Sequence, residues 1–181
     1  MPEPPITLEA IRAVLQTTPA RWQALTAQLP PALLERPAAP GEWSAMDCLR
    51  HLLDLETRVF PARLRALLAG EEFPAAGDPV ADAGATPADL AAAFARRRAA
   101  NLELIQGLQP ADLDRAGAHP RLGPVSVRNL LHDWAAHDLM HTVQAERAVL
   151  QPFLPGTGPW RYFFADHDLG DSAPAAVRRQ G

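Results

Sequence analysis

The sequence predicts an all-α protein with four main helices and no sheet. Apolar residues recur at the 3.6-residue period of a helix rather than in alternation. Capping residues stand ahead of each periodic stretch, and the 19 prolines cluster between those stretches. Hydrophobic residues make up 48% of the 181 and aromatics 6%, so Leu, Ala and Val must fill the interior. A chain of this length suits one domain with a full core.

The first helix is expected from Thr7 to Leu29, with Leu8, Ile11, Leu15, Trp22, Leu25 and Leu29 on or near one side. Thr18-Pro19 reads as a second N-cap with a first-turn proline, which predicts a kink or a split. A Pro-rich connection leads to Gly41-Glu42-Trp43. The second helix starts at Ser44, with Asp47 as a partial capping box, and Gly70 is its natural stop. Pro61 predicts a kink or local break inside it. Residues 71–85 form a connection long enough to cross the domain. Thr86-Pro87-Ala88-Asp89 opens the third helix, which Gly107 and Pro110 close; Ser126 caps a fourth that runs to about Leu150. Residues 1–150 thus form the helical body. Residues 151–181, with Trp160, Tyr162, Phe163 and Phe164, lack a clear period and are expected to lie over it and fray at the end.

All 17 basic residues are Arg, which excludes lysine Schiff-base chemistry and a P-loop lysine. Net charge is −4 with no basic stripe, a poor match to nucleic acid. The triplet Arg96-Arg97-Arg98 is expected on a solvated helix face. One cysteine, Cys48, excludes an internal disulfide and suits a reducing compartment. The N-terminus shows no signal-peptide pattern and no apolar run approaches the roughly 20 residues of a membrane span. A cytoplasmic location is expected.

His137 and His141 lie four apart on the fourth helix, about 40° apart around its axis, with Leu130, Val127, Trp134 and Ala148 sharing a side with His141. His51 stands toward the interior face of the second helix. Three imidazoles from two facing helices would leave coordination positions open on a metal ion, as catalytic sites do. Cys48, three residues before His51, is expected to pack as a small hydrophobe. His132 is about 140° round the helix from His137, and His119 and His167 read as surface residues. His137-Asp138-Leu139-Met140-His141 differs by one methylene from the H-E-x-x-H helix of zinc proteases, but an aspartate would reach a metal-bound water poorly.

With Gly41-Glu42-Trp43-Ser44 leading into His51-Leu52, Asp54 and Glu56, then the loop from His119 to Pro124, and His137-Asp138-x-x-His141-x-x-Gln144, the chain resembles the DinB/YfiT-like superfamily over roughly residues 8 to 150. The resemblance implies a four-helix bundle of up-down-down-up topology, with a long crossover between the second and third helices. It implies a divalent metal, zinc or nickel, on His51, His137 and His141. It further implies a thiol S-transferase or isomerase acting with a low-molecular-weight bacterial thiol and a small electrophile, often as a homodimer. No nucleic acid or membrane partner is expected. A three-histidine ion would lower a thiol's pKa, and Asp54, Asp133 and Asp138 are candidates to orient the imidazoles. The alternative is a metal-binding stress-response or interaction protein without turnover.

Overall fold

A computed structural model describes residues 6–75 and 84–170. Its helices are α1 (Leu8–Gln28), α2 (Pro31–Leu34), α3 (Ala45–Asp54), α4 (Phe60–Ala69), α5 (Pro87–Gln106) and α6 (Val127–Leu150). A π-helical turn, Leu55–Val59, joins α3 to α4 into one long arm. The caps act where the sequence places them. Ser44 with Asp47, Thr86 with Asp89 and Ser126 with Asn129 form reciprocal capping boxes, which satisfy otherwise orphaned N–H groups. Gly70 closes α4 in the left-handed region, φ 74°.

The α1 helix packs on α5 and α6, and α3 packs on the same two. Side-chain pairs give the directions. Arg12 of α1 reaches the Ile105 carbonyl near the end of α5, so these helices are antiparallel. Arg21 of α1 meets Glu146 of α6, while Ile11 and Leu131 share a cluster nearer their starts, so these run parallel. The α3–α4 arm opposes α6, through His51–His137 and then Phe60–Trp134, and runs alongside α5 through Glu56–Arg98. The result is a four-helix bundle of up-down-down-up order. Parallel neighbours need a long return: α5 spans about 30 Å, and the connection from Gly70 to Thr86 can extend well beyond that.

Two apolar clusters fill the bundle. One holds Trp22, Leu34, Met46, Leu49, Leu90 and Phe94; the other holds Ile11, Leu15, Phe60, Leu64, Ile105, Leu131 and Trp134. Between them along the helices lies a buried charged layer. Arg98 is 0% exposed, Glu56 1% and Asp138 0%. The solvated face expected for the arginine triplet therefore holds for Arg96 and Arg97 only. Arg98 Nε and Nη2 donate to Glu56 at 2.7 and 2.9 Å, and Nη1 and Nη2 donate to Asp138 at 2.7 and 3.0 Å. The second Nη1 proton goes to the Leu15 carbonyl at 2.8 Å, so all five donors are used. Burial alone would favour a neutral guanidine. The hydrogen bonds and charges of Glu56 and Asp138 outweigh it and hold Arg98 above its usual range. Burial raises the Asp138 carboxyl despite Arg98.

Both interior prolines are tied to this layer. The α1 helix is continuous through Pro19 rather than split. Proline 19 cannot donate to the carbonyl four residues back, that of Leu15, and Arg98 donates there instead. The break expected at Pro61 is the π-turn. The Phe60 N–H bonds to the Leu55 carbonyl, five residues back, and in that register Pro61 would have to serve Glu56. It has no proton to give, and Asn101 Nδ2 bonds the Glu56 carbonyl at 2.8 Å.

The absence of a sheet is corrected. Strands β1 (Ala116–His119) and β2 (Gly123–Ser126) pair antiparallel, with Ala116 opposite Ser126 and His119 opposite Gly123. Small residues, a Pro and two Gly give this hairpin no alternation to read. Gly117 runs close to α4: a Cβ there would lie 3.1 Å from Leu67 Cδ2, and that side chain would have to give by a few tenths of an ångström. After α6, the 3₁₀ stretch Gln151–His167 is interrupted at Gly158, φ 55°. Arg147 donates to the Asp166 and His167 carbonyls and Gln151 to that of His167, so this segment is held at the end of α6. The fraying expected at the chain's end lies outside the described residues.

Arg98→Met strands two buried carboxylates and is expected to lower the unfolding free energy by about 3–5 kcal/mol. Asn101→Ala, which orphans the Glu56 carbonyl, is expected to cost about 1–3 kcal/mol. Urea denaturation followed by circular dichroism measures both.

Candidate metal centre

The turn Ala39–Glu42, closed by Glu42 N–H to the Ala39 carbonyl at 2.9 Å, passes through Gly41 at φ 80°. It delivers Trp43 immediately before the Ser44 cap, and α3 then brings His51 to face α6 two turns later. On α6, His137 and His141 project one turn apart.

The three histidines meet. Nε2 of His137 is 3.3 Å from Nε2 of His51 and 3.2 Å from Nε2 of His141, and one ring nitrogen from each lies within 4.8 Å of the others. A tetrahedral ion with bonds of about 2.0–2.1 Å sets its ligands about 3.3 Å apart, which the two edges at His137 match. Convergent imidazole lone pairs repel unless a proton or cation lies among them. His141 Nδ1 donates to Gln144 Oε1 at 2.9 Å, which turns the Nε2 lone pair toward the cluster. His137 Nδ1 is buried with no partner among the described residues.

Burial pushes His137 down to about 3, helped by its two imidazole neighbours. It pushes His141 down to about 4, with His51 adding to the effect and Gln144 opposing it. Burial lowers His51 as well, while Asp54 pulls the other way. All three therefore stand as neutral ligands at physiological pH. Trp43 stacks on His141 at 5.3 Å and 16° and meets His51 edge-on at 5.0 Å. Phe60, stacked on Trp134, meets His137 at 5.7 Å. The cluster is half-buried at His51 and His137 and buried at His141, with the Trp43 and Phe60 rings against it.

The other sequence candidates fall elsewhere. Asp138 is turned into the bundle and held by Arg98, which removes it as a protease-type base. Asp133 faces Arg63, and Asp54 pairs with Arg58. At His141 the ring is oriented by Gln144, visible in the sequence only as the last letter of its motif. His119 Nδ1 accepts from the Arg121 and Leu122 N–H groups and shapes the hairpin turn. His132 is half-buried and His167 exposed. Cys48 packs among apolar residues, and burial, with Asp47 adding to it, pushes its thiol up to about 12. It is a core residue. Trp43, a wall of the site, was marked in the sequence only as part of Gly-Glu-Trp-Ser.

The DinB superfamily model matches residues 15–145. Among solved structures, the chain is similar to YfiT from Bacillus subtilis, described as "a probable metal-dependent hydrolase with an unusual four-helix bundle topology". The TM-score is 0.69 at 19% identity, covering 82% of this chain and 90% of that one. It is also similar to TT2238, "a four-helix bundle protein", with a TM-score of 0.57 at 22% identity, covering 77% and 99%. These likenesses show the fold. No curated protein matches the chain.

The depressed histidines set a pH dependence for the metal-free protein. Below about 6.5 the unfolded chain takes up protons on residues that stay neutral when folded. Stability is therefore expected to fall as pH drops from 6.5 toward the folded values near 4 and 3. Denaturation midpoints between pH 7 and 4 measure this, and His137→Asn should flatten the slope. Cys48 should resist alkylation until the protein unfolds.

Proposed function

The chain belongs to the DinB superfamily, and we propose that it binds one divalent metal ion through His51, His137 and His141 and acts as a metal-dependent S-transferase. The co-substrate on this reading is a low-molecular-weight thiol and the acceptor a small electrophile. The observation that carries it is the convergence of three imidazoles, with Nε2 of His137 3.3 Å from that of His51 and 3.2 Å from that of His141. Zinc and nickel both suit imidazole ligands. Three neutral donors leave the ion's +2 charge undiminished, so when bound it would favour the deprotonated form of a thiol or of water.

The chain's own residues serve that chemistry in separable ways. Gln144 fixes the His141 ring, burial keeps His137 and His141 free of competing protons, and Trp43 and Phe60 limit water on two sides. Trp160, Tyr162 and Phe163 stand 67%, 79% and 73% exposed on a segment held at Arg147 and Gln151. Those anchors lie about two turns or more beyond His141 on α6. Hydrolysis is the second reading, favoured by the description of YfiT; the same ion would then act on water. By the resemblance that suggests the thiol, the working form is a homodimer, and the single cysteine suits a reducing, cytoplasmic compartment.

Purified protein should carry about one zinc or nickel ion per chain by elemental analysis. His51→Ala and His141→Ala should each lose most of it, and Gln144→Ala should weaken binding about 10–100-fold. Retention of full metal by both histidine variants would show the site to be misassigned. Incubation with bacterial thiols and a chromogenic electrophile should give a conjugate that chelator and His137→Ala abolish. Product formed without thiol incorporation would select hydrolysis.

A further inference from the structure

The three histidines are not held alike. Rotation of an imidazole about its last side-chain bond is soft, so a ring keeps a ligating angle only when something besides the ion fixes it. At His141 the Gln144 hydrogen bond does so, at 2.9 Å. His137 Nδ1 has no partner among the described residues, and Phe60 meets its ring. His51 likewise makes no hydrogen bond beyond the cluster among the described residues. The ring it meets outside the cluster is Trp43, edge-on at 5.0 Å.

Trp43 also stacks on His141 at 5.3 Å and 16°, so one indole lies against a ligand from α3 and a ligand from α6. It is 37% exposed, whereas the neighbouring apolar cluster is filled by the buried Trp22, Met46, Leu49 and Phe94. Filling the core is therefore not its main contribution. Its backbone is fixed on both sides. The Trp43 carbonyl accepts from the Ala38 N–H at 3.3 Å, Pro37 bridges to Ser44, and the Ser44 capping box follows at once. Arg50 of α3 donates to Glu35 at 3.2 and 2.8 Å, which ties the start of the same loop to the helix that carries His51.

We propose that Trp43 is a positioning residue of the metal centre. Its two ring contacts, one stacked and one edge-on, set His51 and His141 at their ligating angles, and the loop ahead of α3 holds it there. This inference rests on the metal reading and is independent of whether the ion serves a thiol or water.

Cobalt(II) alone, titrated into the full-length chain against a competing chelator, tests it without a known reaction. Trp43→Leu should weaken cobalt binding about tenfold. It should also dim the visible bands, because an ion that loses a well-aimed imidazole takes on water and leaves tetrahedral geometry. Trp43→Phe keeps a flat ring and should recover most of the affinity and of the band intensity. Thermal midpoints of the two metal-free variants should lie close together. A merely structural Trp43 would lower those midpoints and leave the two variants alike in cobalt binding. Trp43→Met takes the place of Trp43→Leu if that variant fails to fold. Unchanged affinity and bands in Trp43→Leu, or a loss that Trp43→Phe does not recover, overturn the positioning role and leave the three-histidine site standing. Failure of the unsubstituted chain to bind cobalt removes the metal reading, and this inference with it.

Discussion

One guanidinium organises this bundle. Arg98 of α5 binds Glu56 on the α3–α4 arm, Asp138 on α6 and the Leu15 carbonyl on α1, so a single side chain touches all three other arms. Burying any one of these charges alone would cost several kcal/mol. The layer is tolerable because no donor of Arg98 is idle and because Asn101 and the Trp134 indole complete the coordination of Glu56. Such a layer is a weak source of net stability but a strict source of alignment, since any displacement leaves charges in an apolar medium.

The metal centre inherits that alignment. Asp138 follows His137 in sequence, and the two side chains leave α6 about 100° apart. One is locked to Arg98 while the other faces His51. Glu56 follows His51 by five residues and is held by the same guanidinium. Trp134 links the two regions, hydrogen-bonded to Glu56 and stacked on the Phe60 ring that meets His137. The convergence of three imidazoles across two helices is therefore set from behind, by groups that never face the ligand.

What was legible in the sequence was local or periodic. Capping residues, Gly70 and the apolar stripes mark helix ends and faces: Ser44 with Asp47, Thr86 with Asp89 and Ser126 open the second, third and fourth helical units. The i,i+4 spacing of His137 and His141 marked two of the three histidines, and the placement of His51 on an interior helix face marked the third. The charged layer was not legible, because Arg98 sits in a run of three arginines and only packing decides which one turns inward. That α1 continues through Pro19 without splitting was hidden for the same reason: the Leu15 carbonyl freed by the proline finds its donor in Arg98, 83 positions further along the chain. The hairpin at Ala116–Ser126 was hidden because turn geometry and the close approach to Leu67 shape it, with no hydrophobic pattern.

The two proline-freed carbonyls also govern where this chain can change length. They present acceptors at fixed heights on α1 and on the α3–α4 arm, and α5 answers with donors three residues apart, Arg98 and Asn101. One residue inserted between those donors would rotate them about 100° further apart, so that only one acceptor could be met. A residue added to the connection between Gly70 and Thr86 changes nothing at the layer and costs only a small loop entropy. Insertions and deletions among relatives of this fold should therefore be sparse within α5 and free in the crossover, whatever substrate each relative handles.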